Sequence, residues 1–264
     1  MLKEGNISKM KVENNEFVSY FLPISDEQIF INSLIGKQIE LKFEGRINCI
    51  KCNKEIKKTF AQGYCYSCFI SSPETEACSV SPEKCEAHNG IARDMEWANE
   101  HCVQDHFVYL SLTSNVKVGV TRQTNIPSRW IDQGAVKAIK LAKPPYRELA
   151  GQIEVDLKKY FSDKTSWQKM LKCEIPEANL LAEKQKAAGL LRNDLKKYLC
   201  PDNTIYEFNY PLEVSPTSVK SISLDKTPEI SAKLIGIKGQ YLIFDDKRVL
   251  NIRKHNGYYV KITY

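Results

Sequence analysis

Two pairs of cysteines constrain what this chain can fold into more than any other sequence feature. Cys49 and Cys52 form one C-x-x-C motif, and Cys65 and Cys68 form a second one after twelve intervening residues. Each motif presents two thiolates from one tight turn, and Zn²⁺ prefers four such ligands in a tetrahedron. A pair of disulfides is the alternative. The spacing therefore predicts a structural zinc site, and it leaves the activity open.

A second metal site is predicted in the following stretch, which has few apolar residues and is broken by prolines and a glycine. Three cysteines and three histidines fall within 29 residues, and a segment that buries little apolar surface can be ordered by a metal. Our preferred zinc ligands are Cys78, Cys85, Cys102 and His106, with His88 or His101 as substitutes. A Cys/His nucleophile, or half-buried cysteines beside surface histidines, are the alternatives.

Composition is that of a globular protein that keeps its cysteines reduced. Of 264 residues, 42% are hydrophobic and 27% are charged, and the net charge is +6. A moderately basic chain permits a polyanionic partner such as nucleic acid without requiring one. The polar first ten residues lack an apolar signal core, and no stretch is long enough to span a bilayer. We expect a cytoplasmic protein without a membrane partner, and its oligomeric state stays open.

Hydrophobic periodicity predicts an α+β fold in four regions. These are β-rich residues 1–48, zinc-binding residues 49–106, an α/β domain over 107–200, and short strands over 201–264 typical of a small β-barrel or meander. We expect the amino-terminal strands to join the carboxy-terminal ones. In the central region, residues 107–112 and 116–121 predict a hairpin, and apolar spacing predicts helices over 146–161 and 176–199.

Four polar residues are distributed over this hairpin and the helices after it. Phe107-Val-Tyr109 lies on the first strand, Lys117-Val-Gly119 on the second, Arg129 on the next helix and Glu154 on a later helix. This order resembles the GIY-YIG endonuclease superfamily, which carries one tripeptide on each hairpin strand, then a helical arginine and a later glutamate. Lysine replaces the tyrosine of the second tripeptide. The resemblance implies a GIY-YIG-like α/β layer and a metal-dependent phosphodiesterase.

Each of these residues has a role in such a site. Tyr109 would act as general base, and Arg129 would hold the scissile phosphate through a bidentate contact. Glu154 would bind one Mg²⁺, and Lys117 would polarise the tyrosine or touch phosphate. Ordinary alternatives exist, such as an i,i+4 ion pair between Glu154 and Lys158.

Three further residues near the motif are candidate nucleic-acid contacts. Arg122 and Arg147 are additional phosphate contacts. Trp130 follows Arg129 directly and either stacks on a base or fills the core between helix and sheet, and we favour the core because large aromatic residues dominate protein interiors.

The chain as a whole resembles an uncharacterised bacterial family, the domain of unknown function 2797. The shared segments include Gln62-Gly-Tyr-Cys65, Lys117-Val-Gly-Val-Thr-Arg122, Arg129-Trp-Ile-Asp-Gln-Gly-Ala135 and Gly236-Ile-Lys-Gly-Gln-Tyr241. This resemblance implies a bacterial cytoplasmic protein and no particular activity. The leading hypothesis is a zinc-containing protein that binds RNA or DNA, and Mg²⁺-dependent cleavage of the bound nucleic acid is its sharper version. A non-catalytic zinc-stabilised RNA-binding protein and a protein-interaction module are the alternatives.

Overall fold

The computed structural model describes all residues 1–264 and has the predicted mixed α+β character. The chain forms two compact units from separate segments. The first unit contains Met1–Ile70, Leu171–Cys173 and Phe208–Tyr264, and the second contains Ser71–Met170 and Glu174–Glu207. The units therefore divide the chain differently from the four regions of the sequence, and the first cysteine quartet belongs to one unit while the second cysteine cluster belongs to the other.

The chain contains fifteen strands and six α-helices, together with short 3₁₀ turns. The strands are β1 (Leu2–Asn6), β2 (Lys11–Glu13), β3 (Ser19–Ile24), β4 (Glu27–Phe30), β5 (Gln38–Asn48), β6 (Glu55–Ile56), β7 (His106–Leu112), β8 (Val116–Arg122), β9 (Lys137–Ala142), β10 (Ile205–Glu207), β11 (Lys220–Ile222), β12 (Glu229–Lys238), β13 (Tyr241–Phe244), β14 (Arg248–Asn251) and β15 (Tyr258–Thr263). The helices are α1 (Tyr66–Ser71), α2 (Met95–His101), α3 (Ser128–Asp132), α4 (Arg147–Leu157), α5 (Trp167–Leu171) and α6 (Leu180–Leu190). None of these helices combines the length and the apolar character needed to cross a membrane.

The first unit is built on an eight-stranded sheet that joins both ends of the chain. Its order is β1-β15-β5-β12-β13-β14-β11, with β6 paired to β5, and β2, β3 and β4 form a separate sheet. Leu2 lies opposite Thr263, and Ile230 lies opposite Leu41. The start of β5 alternates exposed and buried residues, as a strand with one face on the core should. The expectation that amino-terminal strands join the carboxy-terminal ones is confirmed, and β12, β13 and β14 form an antiparallel meander.

The second unit contains a four-stranded antiparallel sheet in the order β10-β9-β7-β8. The predicted hairpin is its β7–β8 pair. Val108 and Leu110 on one face of β7 join the same core as Ile153 of α4 and Ala187 of α6. All seven residues of β7 are buried, which is the pattern of a strand covered on both faces.

One predicted helix is shorter in the structure. The helix expected over 176–199 begins after Asn179, whose side chain caps the first turn, and ends at Leu190. The backbone N–H of Arg192 then donates to Asp156 Oδ2 at 3.1 Å instead of continuing the helix. A tertiary contact with α4 thus overrides the helix-forming composition of the segment.

Candidate functional site

The four cysteines of the paired motifs lie together in the first unit. Their Sγ atoms all lie within 4.8 Å of one another, and none of them forms a disulfide. The N–H groups of Cys65 and Cys68 point at the sulfurs of Cys49 and Cys65, at 3.2 Å and 3.4 Å. Burial raises the pKa of Cys49, but backbone hydrogen bonds from Cys52, Cys65 and Lys51 outweigh it and lower that pKa to about 6. The cluster could hold a metal such as zinc, as predicted.

The three cysteines of the second predicted site also meet, within the second unit. The Sγ atoms of Cys78, Cys85 and Cys102 lie within 4.8 Å of one another, and all three residues are buried. Cys78 lies in a 3₁₀ turn, Cys85 follows another, and Cys102 caps the carboxyl end of α2. This cluster too could hold a metal such as zinc, although the chain there has little regular structure.

His106, the fourth predicted ligand, is not part of this three-cysteine cluster. It is 1% exposed, its Nδ1 donates to the Gln104 carbonyl oxygen at 2.7 Å, and its buried Nε2 makes no hydrogen bond. Burial lowers its pKa to about 4, so the ring is neutral near pH 7. The two substitutes are stacked on aromatic rings: His88 on Tyr146 at 4.5 Å and His101 on Trp97 at 4.1 Å.

A polar cluster in the second unit brings together the four residues predicted to carry the chemistry. The Tyr109 phenol feels the charges of Arg129 and Glu154. Lys117 feels both of these charges and that of Asp163. Residues 109 and 117 belong to the β7–β8 hairpin, Arg129 to α3 and Glu154 to α4. Side chains that are up to 45 residues apart in the sequence therefore converge on one place.

Tyr109 lies at the closed end of this cluster. It is 0% exposed, and its hydroxyl donates to Gln133 Oε1 at 3.0 Å. Burial raises its pKa, although the neighbouring Arg129 opposes this. The hydroxyl lies over Gly119, where a Cβ would come within 2.6 Å of it, so the glycine of the second tripeptide makes room for the phenol. A phenol enclosed in this way has no contact with bulk water.

Lys117 is nearly buried, at 5% exposure. Burial and, to a smaller extent, the Arg129 charge lower its pKa to about 8. The Glu154 and Asp163 carboxylates act on its ammonium in the opposite sense and favour the charged form. Directly opposite on β7 lies Ser111, whose hydroxyl is buried and makes no hydrogen bond.

Glu154 is 9% exposed and forms an i,i+4 ion pair with Lys158 at 3.5 Å. Lys158 also lies 3.7 Å from Asp163. Burial raises the pKa of Glu154, while Lys158 and then Lys117 oppose this rise. The i,i+4 ion pair between Glu154 and Lys158 is therefore present. The Glu154 carboxylate also interacts electrostatically with Lys117.

The three additional nucleic-acid candidates take no part in this polar cluster: Trp130 lies behind it in the core, and the two arginines lie near the second cysteine cluster. Trp130 is 0% exposed and packs against Tyr206 and Tyr109, with ring centroids 4.9 and 5.7 Å away. It cannot stack on a base from this position, so its prediction as a nucleic-acid contact is corrected to a core role. Arg147 Nη1 donates to the Cys78 carbonyl oxygen at 3.3 Å, beside the cysteines, and Arg122 is half-buried near it.

Sequence reasoning missed Ser111, Gln133 and Asp163. Ser111 follows Tyr109 by two residues on β7 and therefore lies on the same face of the strand, a signal that was available from the sequence. Gln133 caps the carboxyl end of α3, and Asp163 lies in a loop after α4. No local pattern connects these last two residues with the hairpin.

Comparison with known proteins gives one match. The family model described as "Protein of unknown function (DUF2797)" matches residues 36–260. No curated protein and no solved structure matches the chain.

Proposed function

This chain belongs to the DUF2797 family, and we propose that it binds nucleic acid by holding a backbone phosphate between Lys117 and Arg129. The observation that carries the proposal is the Lys117 ammonium, which is almost buried beside the positive charge of Arg129, although the Glu154 and Asp163 charges also act on it. Burying a charged ammonium costs free energy. An anion that reaches it from solvent recovers this free energy.

The basic neighbour of Lys117 favours an anionic ligand such as phosphate over an apolar one. Arg129 adds a second positive charge and is only half-buried. Ser111, opposite Lys117, has an enclosed hydroxyl that does not reach a ligand from solvent. A guanidinium and an ammonium are groups that commonly bind phosphodiester oxygens, and the basic chain, with a net charge of +6, suits a polyanion.

Cleavage of the bound phosphodiester is the second candidate, favoured by one electrostatic observation. The pKa of Lys117 is lowered and that of Glu154 is raised, in both cases chiefly by burial. Titratable neighbours whose pKa values shift towards neutrality are typical of catalytic sites. Glu154 would bind Mg²⁺ after Lys158 moves away, and Asp163 could supply a second carboxylate. Tyr109, which has no contact with bulk water, would position Arg129 and Gln133 in this scheme.

Zinc is the metal we assign to the cysteine clusters. Thiolate ligands select zinc over the hard cations Mg²⁺ and Ca²⁺, which prefer oxygen ligands. The metal contributes folding free energy where regular structure is sparse, as it is between Ser72 and Asp94.

The binding proposal is tested by salt-dependent titration of fluorescent single-stranded RNA and DNA. Lys117→Met removes one charge while keeping the length of the side chain, and we expect it to weaken binding about tenfold and to reduce the salt slope by about one. The matched control is Lys186→Met, an exposed lysine paired with Glu183 on α6, which should bind like wild type. Equal affinities for all three proteins would refute the phosphate site.

Cleavage is tested on the same substrates with Mg²⁺ or Mn²⁺. We expect Glu154→Gln to abolish product formation while binding is retained. Binding without any product from the wild type leaves the nucleic-acid-binding function and excludes the nuclease. Failure of the wild type to bind either nucleic acid favours the protein-interaction alternative.

A further inference from the structure

We propose that Cys78, Cys85 and Cys102 form an open zinc site, in which three thiolates bind the ion and an exchangeable ligand, water in the resting protein, takes the fourth position. This inference concerns the second cysteine cluster alone and is independent of the phosphate site. The proposed site would belong to the metal centres that have three protein ligands and can bind small molecules at the metal.

The first cysteine cluster provides an internal comparison. There, four sulfurs lie within 4.8 Å of one another, as a closed tetrahedral site requires. The second cluster brings three sulfurs equally close and no fourth ligand atom from any histidine, cysteine, aspartate or glutamate. The same chain therefore builds one complete tetrahedral set and one set of three.

The nearby histidines are not placed to complete the second set. His106 directs Nδ1 to the Gln104 carbonyl oxygen, and its ring nitrogens do not lie within 4.8 Å of all three sulfurs. His101 Nδ1 lies 2.8 Å from the Trp97 carbonyl oxygen, and His88 stacks on Tyr146.

The apolar part of the shell around the three cysteines is made of alanines, one methionine and one tryptophan. The residues packed around the three cysteines are Ala87, Ala92, Met95, Trp97 and Ala98. Ala92 lies on the loop before α2, between exposed Ile91 and Arg93, and is half-buried against the cluster. Its methyl group brings no ligand atom to the cluster.

Charge balance also favours a neutral fourth ligand. Three thiolates and Zn²⁺ carry a net charge of −1, and the Arg147 guanidinium, whose Nη1 lies 4.0 Å from Cys78 Sγ, offsets it. A fourth thiolate would add a negative charge among buried residues, which is costly unless a further cation such as the nearby Arg122 offsets it. Water or an imidazole adds no charge.

The test uses the full chain loaded with Co²⁺, whose visible absorption reports its ligands, and imidazole as the probe. We expect two equivalents of Co²⁺, and we expect imidazole to shift the bands of one of them because it replaces water, with no proton released. Ala92→Cys should place a fourth thiol at the cluster and remove the response. His106→Gln should keep both the resting spectrum and the response.

Two results would overturn the proposal. One is a wild-type spectrum that imidazole does not change, or a single bound equivalent. The other is a His106→Gln protein whose resting spectrum has lost its contribution from the second cluster, since this would make His106 the fourth ligand. The imidazole titration of the Co²⁺-loaded wild type decides whether the fourth position is open, even if a variant fails to fold.

Discussion

Ser111 and Lys117 lie directly opposite each other on β7 and β8, and each presents a polar group that makes no hydrogen bond inside the protein. Unpaired buried polar groups lower stability, so this register position carries a free-energy cost. The hairpin keeps this pair next to Arg129 and Glu154, which are the groups that would hold a phosphate and a cation.

The first prediction concerns the glycine beneath the phenol. Gly119→Ala would place a Cβ 2.6 Å from the Tyr109 hydroxyl and 2.7 Å from its Cζ. Because this ring is fully buried, it has no room to move aside, and we expect a loss of about 1–3 kcal/mol in the free energy of unfolding. Urea denaturation measures it. The control is Gly189→Ala on α6, where nothing lies within 4 Å, and which should gain about 0.5–1 kcal/mol. Equal effects of both changes would contradict the packing.

A second glycine sets how closely α4 approaches the cysteine-rich segment. At Gly151 a Cβ would lie 2.1 Å from the backbone nitrogen of Glu83 and 2.5 Å from the carbonyl carbon of Pro82. Backbone atoms cannot rotate away, so Gly151→Ala should destabilise the protein by about 1–3 kcal/mol or more. Metal analysis of the purified variant should also show less metal per chain, because Pro82 and Glu83 lie between two of the ligands. A variant with wild-type stability and metal content would show that α4 does not hold this segment.

The stability of the protein should depend on pH through Lys117. Its pKa is about 8 in the folded state against an ordinary value of 10.5, so the unfolded chain binds more protons between these values and the free energy of unfolding rises with pH there. Below pH 8 both states are protonated and the cost of burying the ammonium is fully present. We expect wild type to gain up to about 3 kcal/mol relative to Lys117→Met between pH 8 and 10.5. Urea titrations of both proteins at several pH values measure this difference, and parallel curves would count against it.

The affinity for nucleic acid should fall with rising pH, whereas the free energy of unfolding should rise. A phosphate requires the charged form of Lys117, so affinity should fall as pH rises through the pKa of about 8, shifted upwards when the anion is bound. Binding isotherms at pH 7 and pH 9.5, at constant ionic strength, measure the change. Lys117→Met should bind weakly at both values, and an equal pH response in this variant would assign the effect to another group.

Metal removal should destabilise both units. Each unit contains one cysteine cluster whose sulfurs converge within 4.8 Å, and ligation contributes to folding free energy. We expect two equivalents of zinc by elemental analysis and a lower melting temperature after chelation, restored by added Zn²⁺. Protein that is purified without chelator and contains no metal would exclude both metal sites.

The sequence alone determined the features that depend on local spacing. The Cys49/Cys52 and Cys65/Cys68 motifs predicted a four-sulfur cluster because each pair closes through one turn, and the alternation of apolar residues predicted the β7–β8 hairpin. That Tyr109, Lys117, Arg129 and Glu154 share a site was implied by the resemblance to the GIY-YIG superfamily, and their charges act on one another in the structure.

Tertiary structure alone decided what surrounds these groups. It enclosed Tyr109 and Trp130, joined strands from both ends of the chain in one sheet, and gathered three rather than four ligands at the second cluster. The physical reason is that burial, strand order and ligand convergence depend on contacts between residues that are distant in the sequence, and a local pattern contains no record of the side chain that will pack against it.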